Sequence, residues 1–113
     1  MYINKEILNL EYPYNILYSI DIKTPTEDQI NGFYYVFSFL KDNTKKVILL
    51  RFKDRLLMEE IAKYCRVTKQ GVSYKLNYEL ERLKNNDYIQ LGLRVALSKE
   101  KEKRLNEIKE RSE

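Results

Sequence analysis

Residues that interrupt helices are scarce in this chain: its 113 residues include only three glycines and two prolines. Because Gly and Pro are the strongest local signals for ending a regular element, their scarcity favours long helical segments. From Thr26 onward, apolar residues recur at the three- and four-residue spacing of amphipathic helices. The sequence therefore predicts an all-α fold, a small bundle of four or five helices.

The first 25 residues follow a different pattern, in which apolar and polar residues alternate. The alternating apolar residues are Ile16, Tyr18, Ile20 and Ile22. Alternation is typical of extended backbone, so residues 1–25 are predicted to form an N-terminal arm or a short strand. Its tyrosines, Tyr12, Tyr14 and Tyr18, could stack on bases or on partner side chains. We favour partial packing into the core with the hydroxyl groups in water.

The remaining chain divides into a helical domain over residues 26–97 and a charged, exposed C-terminal helix over residues 98–113. Thr26 has the character of an N-cap, and Gln29 is placed to complete a capping box. Thr68 is expected to cap another helix in the same domain. The predicted helices cover residues 26–40, 44–52, 58–65, 69–84, 88–97 and 98–113.

Composition limits the class of protein. No apolar run approaches the ~20 residues that span a bilayer, and the N-terminus does not resemble a signal peptide. A single cysteine, Cys65, allows no internal disulfide, which fits a cytoplasmic location. The chain has no histidine, no cysteine cluster and no Gly-rich phosphate loop. We expect no metal site, no cofactor and no enzymatic activity.

Positive charge is concentrated in the middle of the chain. Residues 43–84 contain eleven basic and five acidic residues, a net charge of +6, whereas residues 1–42 carry −3 and residues 85–113 carry +1. A basic segment attracts phosphate backbones, although a solvated helical surface would have a similar composition.

Two expected helices, 58–65 and 69–84, are separated by only three residues, which is the layout of a helix-turn-helix. Ala62 permits a close crossing, and Val67 is expected to fill the angle between the helices. An apolar stripe should face inward, formed by Val72, Leu76, Leu80 and Leu83. A recognition helix presents polar groups opposite such a stripe. The candidate DNA-binding residues are Arg66, Lys69, Gln70, Ser73, Tyr74 and Lys75.

Three segments, Val47–Asp54, Met58–Ala62 and Val67–Gln70, together resemble region 4 of bacterial sigma factors, and the resemblance covers roughly residues 40–83. It implies binding to an upstream promoter element by the helix at 69–84, with the flap of the RNA polymerase β subunit as a protein partner. The matching positions for base and phosphate contacts are Lys69, Gln70, Ser73 and Tyr74. Arg66 matches a turn position that usually holds Gly in a left-handed conformation.

Three interpretations of the helix pair remain. It is a DNA-binding element of a transcription regulator, an ordinary hairpin within a bundle, or a protein-interaction module that kept the fold without DNA binding. An interaction module would bind RNA polymerase or another regulator through the N-terminal arm, or dimerise through the C-terminal helix. The salt dependence of binding distinguishes the DNA-binding element from the interaction module, because DNA binding weakens steeply as salt rises.

Overall fold

The computed structural model describes the backbone of residues 5–112 and the side chains of residues 6–111. This part of the chain contains eight helices and no strand, which confirms the all-α class. The predicted bundle of four or five helices and the C-terminal helix account for six of them, and the other two lie in the expected N-terminal arm. The helices are α1 (Lys5–Leu8), α2 (Tyr14–Ser19), α3 (Glu27–Ser38), α4 (Asp42–Phe52), α5 (Met58–Cys65), α6 (Lys69–Lys84), α7 (Asp87–Gln90) and α8 (Leu93–Ser112).

The prediction of an extended N-terminal arm is wrong for the described residues. Helices α1 and α2 occupy that segment, and Ile16, Leu17 and Ile20 are fully buried in the core. Ile16 and Ile20 are four residues apart, a spacing that fits both alternation and one helical turn, so the pattern was ambiguous. Residues 1–4 of the expected arm and residue 113 of the expected C-terminal helix lie outside the described residues.

Two buried polar side chains position α4. Asn15 of α2 is fully buried, and its Nδ2 donates to the carbonyl oxygen of Phe52 at 2.6 Å, next to the end of α4. Arg51 is also buried, and its Nη1 donates to the carbonyl oxygen of Leu56 at 2.8 Å, which holds the loop between α4 and α5. Burial lowers the pKa of Arg51. These bonds satisfy the carbonyl of the last residue of α4 and one carbonyl in the loop that follows.

Helix α3 lies against α7 and the start of α8. The expected capping box at its N-terminus is confirmed, because Thr26 Oγ1 accepts from Gln29 N–H and Gln29 Oε1 accepts from Thr26 N–H. Gly32 faces the backbone of α7 so closely that an added Cβ would collide with the carbonyl oxygen of Tyr88. The carboxylate of Asp28 accepts from Arg94 N–H at 3.1 and 3.2 Å, and thereby caps the first turn of α8.

Helix α8 is one continuous helix of 20 residues, whereas the sequence predicts separate helices before and after Ser98. Its first turns contact α3 and α7, and Tyr88 of α7 hydrogen-bonds Glu100, which together with burial raises the pKa of Tyr88 to about 12. Every residue from 97 to 111 is exposed, as predicted for the charged helix. Among the described helices, none combines the length and the apolar character needed to cross a membrane.

Candidate nucleic-acid interface

The turn between α5 and α6 has a defined backbone geometry. Arg66 adopts the left-handed conformation, with φ 56° and ψ 44°, as the resemblance implies for this position. The N–H groups of Val67 and Arg66 donate back to the carbonyl oxygens of Ala62 and Lys63 at 3.0 and 3.3 Å, the two bonds of a Schellman motif. These bonds end α5 and turn the chain directly into α6.

The N-terminus of α6 is capped as the sequence predicts. Thr68 is extended, and its Oγ1 accepts from Gly71 N–H at 3.0 Å. A Cβ at position 71 would lie 3.1 Å from that Oγ1, so the absence of a side chain leaves room for the cap. Helix α5 lacks a side-chain cap at Leu57, although Glu60 Oε1 accepts from Leu57 N–H at 3.0 Å.

The buried stripe of α6 fixes the rotation of the helix, and the prediction of its members is confirmed. The stripe residues are between 0% and 2% exposed and are Val72, Leu76, Leu80 and Leu83. They pack in one core with Ile61 of α5 and Ile48 of α4. The opposite side of α6 is therefore directed to solvent. We call this side, formed by Gln70, Tyr74 and Tyr78, the outer face of α6.

The predicted site residues are distributed over the outer face and two flanks. Gln70 and Tyr74 lie on the outer face, where Tyr74 is 76% exposed. Lys69 is exposed on one flank, where its Nζ forms an ion pair with Glu59 Oε1 at 3.1 Å. Ser73 is half-buried, so it is less available than the sequence predicts. Lys75 is also half-buried, on the flank opposite Lys69.

A groove of about 380 Å³ lies on the Lys75 flank of α6 and includes Arg66. Its lining residues are Asn43, Lys46, Val47, Tyr64, Cys65, Arg66, Val67, Gly71, Val72 and Lys75. We call it the basic groove, because three of these residues are cationic and none is acidic. Val67 is 52% exposed at its edge, so the prediction that Val67 fills the angle between the helices is wrong.

Within the described part of the chain, none of the three cations of the basic groove forms an ion pair with a carboxylate. The ion pairs among the described residues involve Lys69, Arg82, Lys84 and Arg94. The Nζ of Lys46 lies instead 4.7 Å from the centre of the Tyr64 ring, a cation–π contact that directs the ammonium group towards the groove. Three cations that line one groove with no acidic residue make it a site that attracts an anion.

Sequence reasoning missed Lys46, Asn43 and Tyr64 as members of the site. Lys46 lies in a basic stretch at the start of α4, but its position beside Lys75 depends on how α4 and α6 pack. Arg66 and Lys75 were predicted as candidates, and the structure brings them together in one groove.

Comparisons of this chain with protein-family models, with curated proteins and with solved structures found no match.

Proposed function

We propose that this protein binds double-stranded DNA through α5 and α6, which act as a helix-turn-helix. The outer face of α6 enters the major groove, and the basic groove contacts the phosphate backbone. The observation that carries this proposal is a groove lined by Lys46, Arg66 and Lys75, which form no ion pair among the described residues, beside a solvent-exposed face of α6.

The basic groove suits contact with phosphates, and the outer face of α6 suits contact with base edges. Phosphate contacts by Lys and Arg supply affinity and orientation without reading sequence, whereas side chains on the recognition helix distinguish base edges. Gln70 offers the donor and acceptor pair that matches adenine in the major groove. Lys69 contributes less than an unpaired lysine would, because the carboxylate of Glu59 already neutralises part of its charge.

The resemblance to sigma factor region 4 supports a more specific role. In this role the protein is a transcription regulator that binds promoter-type DNA in a sequence-specific manner, and the flap of the RNA polymerase β subunit is its protein partner. The turn conformation at Arg66 and the Thr68 cap are consistent with that resemblance. DNA binding is the first step to test, because the regulatory role depends on it.

The test is fluorescence anisotropy with the whole chain and labelled duplexes at several salt concentrations. The parent should bind DNA at low salt, and the logarithm of its affinity should fall linearly with the logarithm of salt. Each phosphate contact contributes ~0.9 to that slope, so a Lys46→Gln, Lys75→Gln double variant should lose ~1.8. The matched control is Lys101→Gln with Lys103→Gln, two exposed lysines of α8 with the same change of charge.

Substitutions on α6 separate affinity from sequence preference. Gln70→Ala should relax the preference at one base pair, at a cost of ~1–3 kcal/mol of discrimination if the side-chain amide both donates to and accepts from the base. Lys69→Ala should weaken all duplexes about equally and by less than Lys75→Ala. The DNA-binding proposal is wrong if the parent binds no duplex at low salt, or if the groove and control variants lose the same slope.

One observation favours the protein-interaction alternative. Phe39 is 74% exposed beside Tyr35, with ring centres 5.1 Å apart, and Tyr35 also contacts Tyr88 at 5.2 Å. Exposed aromatic clusters of this kind occur at protein interfaces. A direct titration with purified RNA polymerase tests this candidate. Binding that resists salt and is lost in Phe39→Ser would support it, whereas binding that falls steeply with salt would not.

A further inference from the structure

Tyr74 is the more exposed of the two tyrosines on the outer face of α6, and its ring has no aromatic or cationic partner among the described residues. Its side chain is 76% exposed, and among the described residues it makes no ring contact, cation–π contact or hydrogen bond. Tyr78, one turn later, is 54% exposed, but the guanidinium carbon of Arg82 lies 5.8 Å from its ring centre. Tyr74 is therefore the aromatic side chain on this face that is free to pack against a ligand.

The position of the Tyr74 backbone is fixed before any ligand binds. The buried stripe that includes Val72 and Leu76 flanks Tyr74 in sequence and locks the rotation of α6. A tyrosine side chain has only two rotatable angles, so ordering it on binding costs little conformational entropy. A large ring exposed to water gains free energy when an apolar group covers it.

The identity of that apolar group rests on the proposed DNA-binding function. In the major groove, the apolar group that base edges offer is the C5-methyl group of thymine. Gln70 lies one turn before Tyr74, and its amide suits adenine. Four residues of helix correspond to ~6 Å, which compares with 3.4 Å between base pairs, so the two side chains reach different base pairs.

We infer that Tyr74 is a specificity-determining residue whose ring packs against the methyl group of a thymine, within a short element that also contains the adenine bonded by Gln70. The contact is apolar, so it depends on the ring and not on the hydroxyl group. It adds sequence preference without adding salt dependence, because no phosphate is involved.

The test starts from the duplex that the whole chain selects from a random pool. Each thymine of that duplex is then replaced by deoxyuridine, one at a time, which removes only the methyl group. Binding is measured by anisotropy for the parent, for Tyr74→Ala, for Tyr74→Phe and for the matched control Tyr14→Ala, an exposed tyrosine of α2 outside the proposed interface. Thermal unfolding of each variant confirms folding, which substitution at so exposed a position should spare.

At one thymine, deoxyuridine should weaken binding of the parent about fourfold, the effect of burying one methyl group. Tyr74→Phe and Tyr14→Ala should keep this difference, and Tyr74→Ala should abolish it. The inference is overturned if no thymine shows the difference in the parent, or if the difference persists in Tyr74→Ala. In either case, salt-dependent DNA binding by the parent would still support the proposed function. If the parent binds no DNA, the inference about Tyr74 and the proposed function are both wrong.

Discussion

Arg66 combines a strained backbone with a place in the basic groove, and the substitution Arg66→Gly separates the two. Its φ of 56° lies in the left-handed region, which costs an L-residue ~1–2 kcal/mol. Glycine adopts this region freely but loses ~0.5–1 kcal/mol more conformational entropy on folding. We therefore expect Arg66→Gly to stabilise the fold by ~0.5–1 kcal/mol. The same substitution removes one groove cation, so DNA affinity should fall.

Arg66→Ala is the matched control for the backbone effect. Both variants remove the guanidinium group, and with it the repulsion from Lys46 and Lys75, so any gain from lost repulsion is common to both. Only glycine relieves the left-handed strain. The difference in the free energy of unfolding between the Gly and Ala variants therefore measures the strain, and we expect glycine to be the more stable by about 1 kcal/mol.

Two assays are needed. Urea or thermal unfolding gives stability, where a gain of ~0.5–1 kcal/mol corresponds to a rise in Tm of about 2–4 °C for a domain near this size. Anisotropy at several salt concentrations gives the number of phosphate contacts, and both variants should lose ~0.9 from the slope. Equal stability of the Gly and Ala variants would refute the strain argument. An unchanged slope in both would show that Arg66 does not contact DNA.

Three further predictions test the fold and one ion pair. Leu80→Ala should destabilise the fold by roughly 2–5 kcal/mol in urea unfolding, because Leu80 is fully buried, and an unchanged midpoint would mean that the register of α6 is wrong. Gly32→Ala should cost ~3 kcal/mol or more, since its Cβ meets the backbone carbonyl of Tyr88, which cannot rotate away; a loss below ~1 kcal/mol would contradict that close approach. The Lys84 ammonium group, 2.9 Å from the Asp21 carboxylate, holds the pKa of Asp21 below its ordinary value. The ion pair therefore contributes its full stability at a pH above the ordinary pKa of Asp, and this contribution is lost as the pH falls through the lowered pKa of Asp21. NMR titration should show the pKa of Asp21 rising in Lys84→Met, and no rise would exclude the pair as the cause.

The sequence predicts α5 and α6 well because several local signals agree. The ranges 58–65 and 69–84 match the structure, since the apolar spacing, the Thr68 cap and the short turn all indicate the same boundaries. The Thr26 capping box is predictable for the same reason. Where local signals agree, tertiary packing has little to override.

The parts of the fold and of the candidate site that the sequence does not predict depend on contacts between residues that are distant in the chain. In the N-terminal segment, apolar residues four apart fit a strand and a helix equally, and only burial against later helices decides for the helix. The basic groove is a second example, because Lys46 and Lys75 meet only after α4 has packed beside α6. A third is Asp28, whose carboxylate caps a helix that begins 65 residues later at Leu93. No local pattern encodes these pairings.

The burial of α2 limits how far this protein can be shortened for study. A fragment that starts at Thr26, where the sequence suggests that the helical domain begins, would lose three fully buried aliphatic side chains, Ile16, Leu17 and Ile20. Each contributes ~1.5–3 kcal/mol, so the loss is roughly 5–9 kcal/mol, comparable to the ~5–15 kcal/mol that stabilises a whole domain. It would also remove Asn15 and its bond to Phe52. A fragment without α2 would therefore lose a large part of the free energy of unfolding, so the N-terminal helices belong in any fragment made to study α5 and α6.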